Sequence, residues 1–71
     1  MQTSIHILDV VALTQGLPAA QLVPGQVGTV VEVLGPGVFE VEFSDNEGRT
    51  YATAPVAAEQ LIVLHYSPVA A

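Results

Sequence analysis

The segment from residue 27 to residue 43 constrains the fold of this chain more than any other. Its second half places Phe39, Val41 and Phe43 at every other position. Because side chains alternate across a β-strand, these three share one face, which we predict to be the core. Gly35-Pro36-Gly37 separates this half from a first half rich in valine. The segment therefore predicts a β-hairpin with one buried face.

Turn signals divide the remaining chain into further short segments rich in β-branched and aromatic residues. The predicted strands are Ile5 to Leu13, Val27 to Leu34, Val38 to Ser44, Arg49 to Ala54 and Leu61 to Leu64. For the first segment a short helix is the alternative, because periodicity does not separate the two in so brief a run. The fourth strand should end at Pro55, which cannot donate to a central ladder. Val56 to Gln60 fits a single helical or 3-10 turn before the last strand.

The predicted connection from Thr14 to Gln26 is long for a domain this small. Its apolar residues Leu17, Leu22 and Val23 should fold back over the core. Gly28, just after this loop, should mark a bulge or a close approach of two backbones. The order of elements predicts an all-β, five-stranded SH3-like barrel with a long loop after strand 1 and a short 3-10 turn before the last strand. It should form one domain over residues 1–71, with its core in 5–64 and a tail in 65–71.

The charge of the chain excludes several classes of partner. Its formal net charge is −6, and Arg49 is the single residue counted as lysine or arginine. Nucleic acids and anionic membranes bind through several basic residues, so we expect neither as a partner. No apolar run is long enough to span a bilayer, and the first residues carry no secretory signal, so the default location is the cytoplasm.

The residue types available leave little room for catalysis or metal binding. There is no cysteine, and His6 and His65 lie near opposite ends of the chain. We therefore predict no metal site, no cofactor and no enzymatic activity. Hydrophobic residues make up 51% of the chain and charged residues 11%, which favours a homo-oligomer or a stable partner. The alternative is that alanine inflates the hydrophobic share.

The outer face of the hairpin and of the strand after it is the candidate binding surface. Ideal turns would place Glu32 opposite Glu40, and Val30 opposite Glu42. They would also place Tyr51 opposite Glu42, and Thr53 opposite Glu40. The predicted partner-binding residues are Val30, Glu32, Glu40, Glu42, Tyr51 and Thr53. Such a face could meet a basic partner, or it could be an ordinary solvated surface kept acidic for solubility.

Two polar features of the chain fit local structural roles. Arg49 should pair with Asp45 or Glu47 at the turn before the fourth strand. Asp9, inside an apolar segment, should cap a turn or accept backbone N–H groups. Neither feature points to chemistry.

The segment Gly25-Gln26-Val27-Gly28-Thr29-Val30-Val31-Glu32-Val33 resembles the KOW-type pattern, in which a glycine turn leads into a bent strand. KOW segments bind RNA through basic residues that this chain lacks. The resemblance therefore implies the bent hairpin and not the RNA binding.

Over most of residues 8 to 64 the chain resembles a family of short bacterial proteins catalogued as domain of unknown function 4926. The residues that carry this resemblance are Leu8-Asp9-Val10-Val11-Ala12-Leu13, Leu17-Pro18, the glycine-valine segment above, Phe39-Glu40-Val41-Glu42-Phe43, Gly48-Arg49-Thr50-Tyr51-Ala52 and Glu59-Gln60-Leu61. The resemblance implies a stand-alone cytoplasmic protein encoded near toxin-like or other uncharacterised genes, with an antitoxin or immunity role. The loop from Ala19 to Pro24 departs from the family by its lack of charged residues.

Overall fold

The computed structural model describes residues 4–68, so the predictions for residues 1–3 and 69–71 lie outside the described part of the chain. Five strands form one antiparallel sheet in the order β4-β3-β2-β1-β5. The strands are β1 (Val10–Leu13), β2 (Val27–Gly35), β3 (Val38–Ser44), β4 (Thr50–Ala57) and β5 (Leu61–Val63). Two 3-10 turns, η1 (Pro18–Ala20) and η2 (Ala58–Gln60), lie in the connections.

This architecture confirms the all-β, five-stranded prediction, including the long connection after β1 and the 3-10 turn before β5. Within residues 4–68 the outer strands β4 and β5 do not pair with each other, so hydrogen bonds do not close the sheet into a barrel. The SH3-like and KOW-like character of the sheet stays a prediction. No helix within this part of the chain is long and apolar enough to cross a membrane.

One hydrophobic cluster draws side chains from all five strands. The predicted inward residues Phe39, Val41 and Phe43 are 7%, 0% and 0% exposed, which confirms the alternation seen in the sequence. The other buried members of the cluster are Val11, Leu13, Leu22, Val30, Ala54, Val56 and Leu61. Because Leu22 comes from the long connection, that connection folds over the core as predicted, although Val23 within it stays 59% exposed.

Gly28 marks a close approach between β2 and β3. A Cβ atom at this position would lie 2.6 Å from Val41 Cγ1 and 2.8 Å from the carbonyl oxygen of Glu42. The backbone of β2 can therefore press against β3 only because glycine has no side chain here. This confirms one of the two predicted roles of Gly28, whereas the bulges of β2 lie elsewhere.

The first strand is shorter than predicted. It begins at Val10 rather than at Ile5, because a turn occupies residues 6 to 9. Leu8 adopts a left-handed φ of 75°, and the Asp9 N–H donates to the carbonyl oxygen of His6 over 3.0 Å. The Asp9 side chain accepts the His6 backbone N–H at 2.8 Å, which confirms its predicted role. Such a local side-chain bond competes with the backbone hydrogen bonds that a longer strand would need.

The fourth strand is longer than predicted. It runs through Pro55 to Ala57, and Val56 is a core residue rather than the start of the 3-10 turn. β4 is an edge strand, which is where a sheet accommodates a proline. The last strand ends at Val63, one residue before the predicted end.

Candidate functional site

The outer face of the sheet formed by β2, β3 and β4 is organised in two cross-strand rows. In the first row Glu40 lies between Glu32 and Pro55. In the second row Glu42 lies between Thr29 and Thr53. The two rows are neighbours, because Glu40 and Glu42 are two residues apart on β3 and so share a face. We call the carboxylates of Glu32, Glu40 and Glu42 the acidic face.

The negative charges of the acidic face are not neutralised by any ion pair within the described part of the chain. The ion pairs found within residues 4–68 involve His6 with Asp9 and Arg49 with Asp45 and Glu47, and none reaches the acidic face. The predicted pairing of Glu32 with Glu40 is confirmed, so two like charges lie directly opposite each other. Such a pair is destabilising by a few tenths of a kcal/mol up to ~1 kcal/mol.

Val30 is not part of this face, which corrects the prediction. It pairs with Val41 and is 0% exposed, so its side chain belongs to the core. The register shift between Val30 and Glu32 explains the difference. An extra residue on β2, Val31, lets Val30 point inward while Glu32 points outward two positions later.

Tyr51 and Thr53 lie two positions from where ideal turns would place them. Thr53 faces Glu42 rather than Glu40, and the predicted contact of Tyr51 with Glu42 is wrong. Tyr51 sits at the register shift between the pairs formed by Phe43 and by Ser44. Its hydroxyl oxygen accepts a hydrogen bond from Gln26 Nε2 at 3.2 Å, while the side chain stays 48% exposed. Tyr51 thus ties the long connection to β4.

Pro55 is the residue of this face that the sequence analysis missed. It lies next to Glu40 on the exposed edge strand, where the prediction expected the strand to have ended. The signal that could have found it is the apolar Val56 directly after it, which extends the alternation of Ala52 and Ala54.

The turn between β3 and β4 explains the displaced register and engages the only arginine. The carbonyl oxygen of Asp45 accepts the Gly48 N–H. Gly48 has a left-handed φ of 82°, as is usual for the glycine of hairpin loops longer than two residues. Arg49 contacts both predicted partners: its Nε lies 3.2 Å from Asp45 Oδ2, and its Nη2 donates to Glu47. The single cation of the chain is therefore already paired.

Asp45 is the carboxylate that this turn affects most. Its Oδ1 accepts the backbone N–H groups of Arg49 and Glu47, both at 2.9 Å. Hydrogen bonding from the Arg49 N–H is the largest cause that lowers the pKa of Asp45 below its ordinary value, although desolvation opposes it. Asp45 serves the turn and lies outside the acidic face.

The described residues assemble no cluster of metal ligands. Over residues 4–68, no group of three or more His, Asp or Glu side chains is placed to hold a metal ion. His6 and His65 are both exposed, and the Nδ1 of His6 lies 3.8 Å from Asp9 Oδ2. The acidic face is thus the main concentration of unpaired charge that the structure presents.

Comparison with known proteins points to a family and not to an activity. The family model described as "Domain of unknown function (DUF4926)" matches residues 7–63, which is most of the chain. The match includes all five strands and every residue of the acidic face. No curated protein and no solved structure was found that matches the chain.

Proposed function

We propose that this chain, which belongs to the DUF4926 family, is a small non-catalytic module that binds a basic protein partner through its acidic face. One observation carries the proposal. Glu32 and Glu40 face each other across β2 and β3, with Glu42 beside them, and no cation of the described chain compensates them. A basic surface would relieve this repulsion on binding, which gives a free-energy gain specific to the complex.

The shape of the face favours binding over catalysis. Paired carboxylates act in acid-base chemistry when an enclosing cleft drives their pKa values apart. Here Glu32 is exposed, and Glu40 and Glu42 are half-buried on the surface of a sheet. A solvent-accessible sheet face suits recognition of another surface, with Thr53 and Pro55 at its border.

An antitoxin or immunity protein would use such a face by stoichiometric binding. This form of the proposal rests on the small size and the net charge of −6, which suit tight pairing with a basic protein and fast association. A cytoplasmic partner encoded by a neighbouring gene is the natural first candidate. RNA binding of the KOW type is disfavoured, because the one arginine is engaged at a turn.

Co-expression with the product of the neighbouring gene tests the proposal. We expect a complex that survives purification and dissociates when both Glu32→Lys and Glu40→Lys are present. Glu47→Lys together with Glu59→Lys is the matched control, because it makes the same total change in net charge at two exposed positions outside the acidic face. If the double charge reversal leaves the complex as stable as the control does, the acidic face is not the binding surface.

A second candidate function is self-association as a homo-oligomer or accessory subunit. It is favoured by exposed apolar side chains along the distal half of β2, where Val31, Val33 and Leu34 are 39%, 50% and 47% exposed. Analytical ultracentrifugation at micromolar concentration tests it, and Val33→Thr together with Leu34→Thr should then convert the oligomer to monomer. A wild-type protein that is strictly monomeric at these concentrations contradicts this candidate.

A further inference from the structure

A groove lies between η1 and the edge strand β4. It is an open depression with a volume of about 320 Å³. Its walls are formed by Leu17, Pro18, Ala19, Ala20, Ala54 and Pro55. All six side chains are apolar, and η1 itself has neither an acidic residue in its first turn nor a basic one in its last. The groove therefore offers a surface for hydrocarbon and no hydrogen-bonding side chain.

The groove is formed by parts of the chain that hold one another in place. Leu17 and Leu22 exchange backbone hydrogen bonds of 2.9 and 3.2 Å on either side of η1. Leu22 is buried in the core, and Ala54 on the opposite wall is 6% exposed. The hydrogen bond from Gln26 to the Tyr51 hydroxyl ties the same connection to β4. A groove fixed in this way needs little ordering when a ligand enters.

One residue, Pro55, connects the groove to the acidic face. Pro55 lines the groove and also faces Glu40, whose other cross-strand neighbour is Glu32. Side chains opposite each other on adjacent strands have Cβ atoms about 4.5–5.5 Å apart. The Pro55 wall of the groove is therefore a direct neighbour of Glu40 on the adjacent strand.

We infer that the groove receives a large apolar side chain of the basic partner, adjacent to a lysine or arginine that lies over Glu40 and Glu32. This inference rests on the proposed function and specifies its partner. The volume is at the lower end of the range for ligand sites, about 300–1,000 Å³, which suits one anchoring side chain. Anchors of this kind, seated in a pocket and bordered by polar contacts, dominate the energetics of protein interfaces.

Charge decides between a basic partner and a second copy of this chain. Two copies would bring together net charges of −6 each, and the single arginine of each copy is already held by Asp45 and Glu47. A second copy therefore offers no free lysine or arginine to the carboxylates at the border of the groove. A basic partner offers the complementary charge together with the anchor.

Three capped pentapeptides serve as probes in NMR titrations of the isotopically labelled protein. Gly-Lys-Phe-Lys-Gly carries both features, Gly-Lys-Ala-Lys-Gly lacks the anchor, and Gly-Glu-Phe-Glu-Gly reverses the charge. We expect the first to shift the amide signals of Ala19, Ala20 and Ala54 together with that of Glu40. The alanine peptide should shift amide signals of the acidic face alone. It should bind at least about tenfold more weakly than the phenylalanine peptide, as loss of a buried aromatic anchor implies. The third should shift neither region.

Variants then separate the groove from the acidic face. Ala20→Gln fills the groove with a neutral polar side chain at an exposed position, and Ser67→Gln adds the same group elsewhere on the surface. We expect the first variant to remove the advantage of the phenylalanine peptide over the alanine peptide, and the control to keep it.

Each contrary result has its own meaning. If both lysine peptides bind equally and leave the groove signals unmoved, the groove inference is overturned while the acidic face stands as the binding surface. If the glutamate peptide enters the groove as well as the lysine peptide does, the pairing of anchor and cation is overturned. If neither lysine peptide shifts the acidic face, and the charge-reversal variants leave the co-expressed complex intact, the proposed function itself fails.

Discussion

The two faces of β3 carry neighbouring residues with opposite physical demands. Phe39, Val41 and Phe43 point inward and are almost completely buried, while Glu40 and Glu42 point outward and are half-buried. The inner residues pack against side chains from every strand of the sheet. The outer carboxylates repel each other and Glu32, and none forms an ion pair within residues 4–68. The inner face thus stabilises the fold, whereas the outer face is free to serve recognition.

The largest effect should come from removing an inner side chain. Phe43→Ala is expected to lower the free energy of unfolding by about 3–5 kcal/mol, because a large side chain with no exposure leaves a cavity. This approaches the whole stability of a small domain, so Phe43→Leu, at about 1–2 kcal/mol, provides a folded variant for urea denaturation. Thr53→Ala on the outer face should change stability by less than about 1 kcal/mol. Equal effects on the two faces would contradict the distinction between them.

The contact between β2 and β3 should be the next most sensitive point. Gly28→Ala places a Cβ within 3.0 Å of a backbone oxygen and two side chains, which should lower stability by about 1–3 kcal/mol. Gly35→Ala, on the same strand, meets no atom within 4 Å and should be close to neutral. Thermal and urea unfolding of both variants checks this, and an unaffected Gly28→Ala would show that the strands can separate without penalty.

A smaller effect of opposite sign is expected on the acidic face. Glu32→Lys replaces a like-charge pair by an opposite-charge pair with Glu40 and should stabilise the protein by a few tenths of a kcal/mol up to ~1 kcal/mol. Because salt screens surface charges, the gain should shrink at about 1 M salt, where the Debye length is about 3 Å. Glu59→Lys, with the same change in net charge, measures the general effect of charge. A gain no larger than in that control would mean that Glu32 and Glu40 do not interact.

The smallest effect should be the pH dependence at the turn before β4. The pKa of Asp45 is lowered in the folded state, so its contribution to stability is present above the ordinary value of 3.8 and is lost as pH falls through the lower folded value. Asp45→Asn keeps an oxygen that can accept the Glu47 and Arg49 N–H groups but loses the charge. The difference in unfolding free energy between wild type and Asp45→Asn should therefore shrink as the pH is lowered.

NMR titration of wild type provides the direct measurement of that effect. The Asp45 carboxyl carbon should titrate with a midpoint below 3.8, because two backbone N–H groups stabilise its ionised form. A midpoint at or above 3.8 would mean that the turn does not hold the carboxylate as described. For the stability comparison with Asp45→Asn, the control is Glu59→Gln, which removes an exposed carboxylate away from the turn.

The inner face could be predicted from the sequence because it depends on one local pattern. The alternation from Val38 to Ser44 gave β3 its observed bounds, and its three apolar residues proved to be buried. The pairing of Glu32 with Glu40 was also predictable, since both lie near a short turn around Pro36 and Gly37. The register shift between Val33 and Gly35, next to the turn, restores the pairing that a turn centred on Pro36 predicts.

The outer face was predicted less well because errors of register accumulate with distance from a turn. One extra residue in β2, at Val31, moved Val30 into the core. The loop at Gly48 and the irregularity near Tyr51 shifted β4 by two positions, which brought Thr53 to Glu42 and Pro55 to Glu40. A bulge has no strong signature in a sequence of valines, because every alternative register there buries a similar side chain.

The sequence by itself determined that this chain forms short antiparallel strands around a valine- and phenylalanine-rich core and that it carries one cation against seven acids. Those properties follow from periodicity and composition, which are local or additive. Only the tertiary structure decided which carboxylates share a face, that the single arginine is held at a turn, and that the uncharged segment from Ala19 to Pro24 contributes a wall to an apolar groove beside Pro55. These depend on bulges and on the packing of a long connection against a distant strand, where no local pattern fixes the outcome.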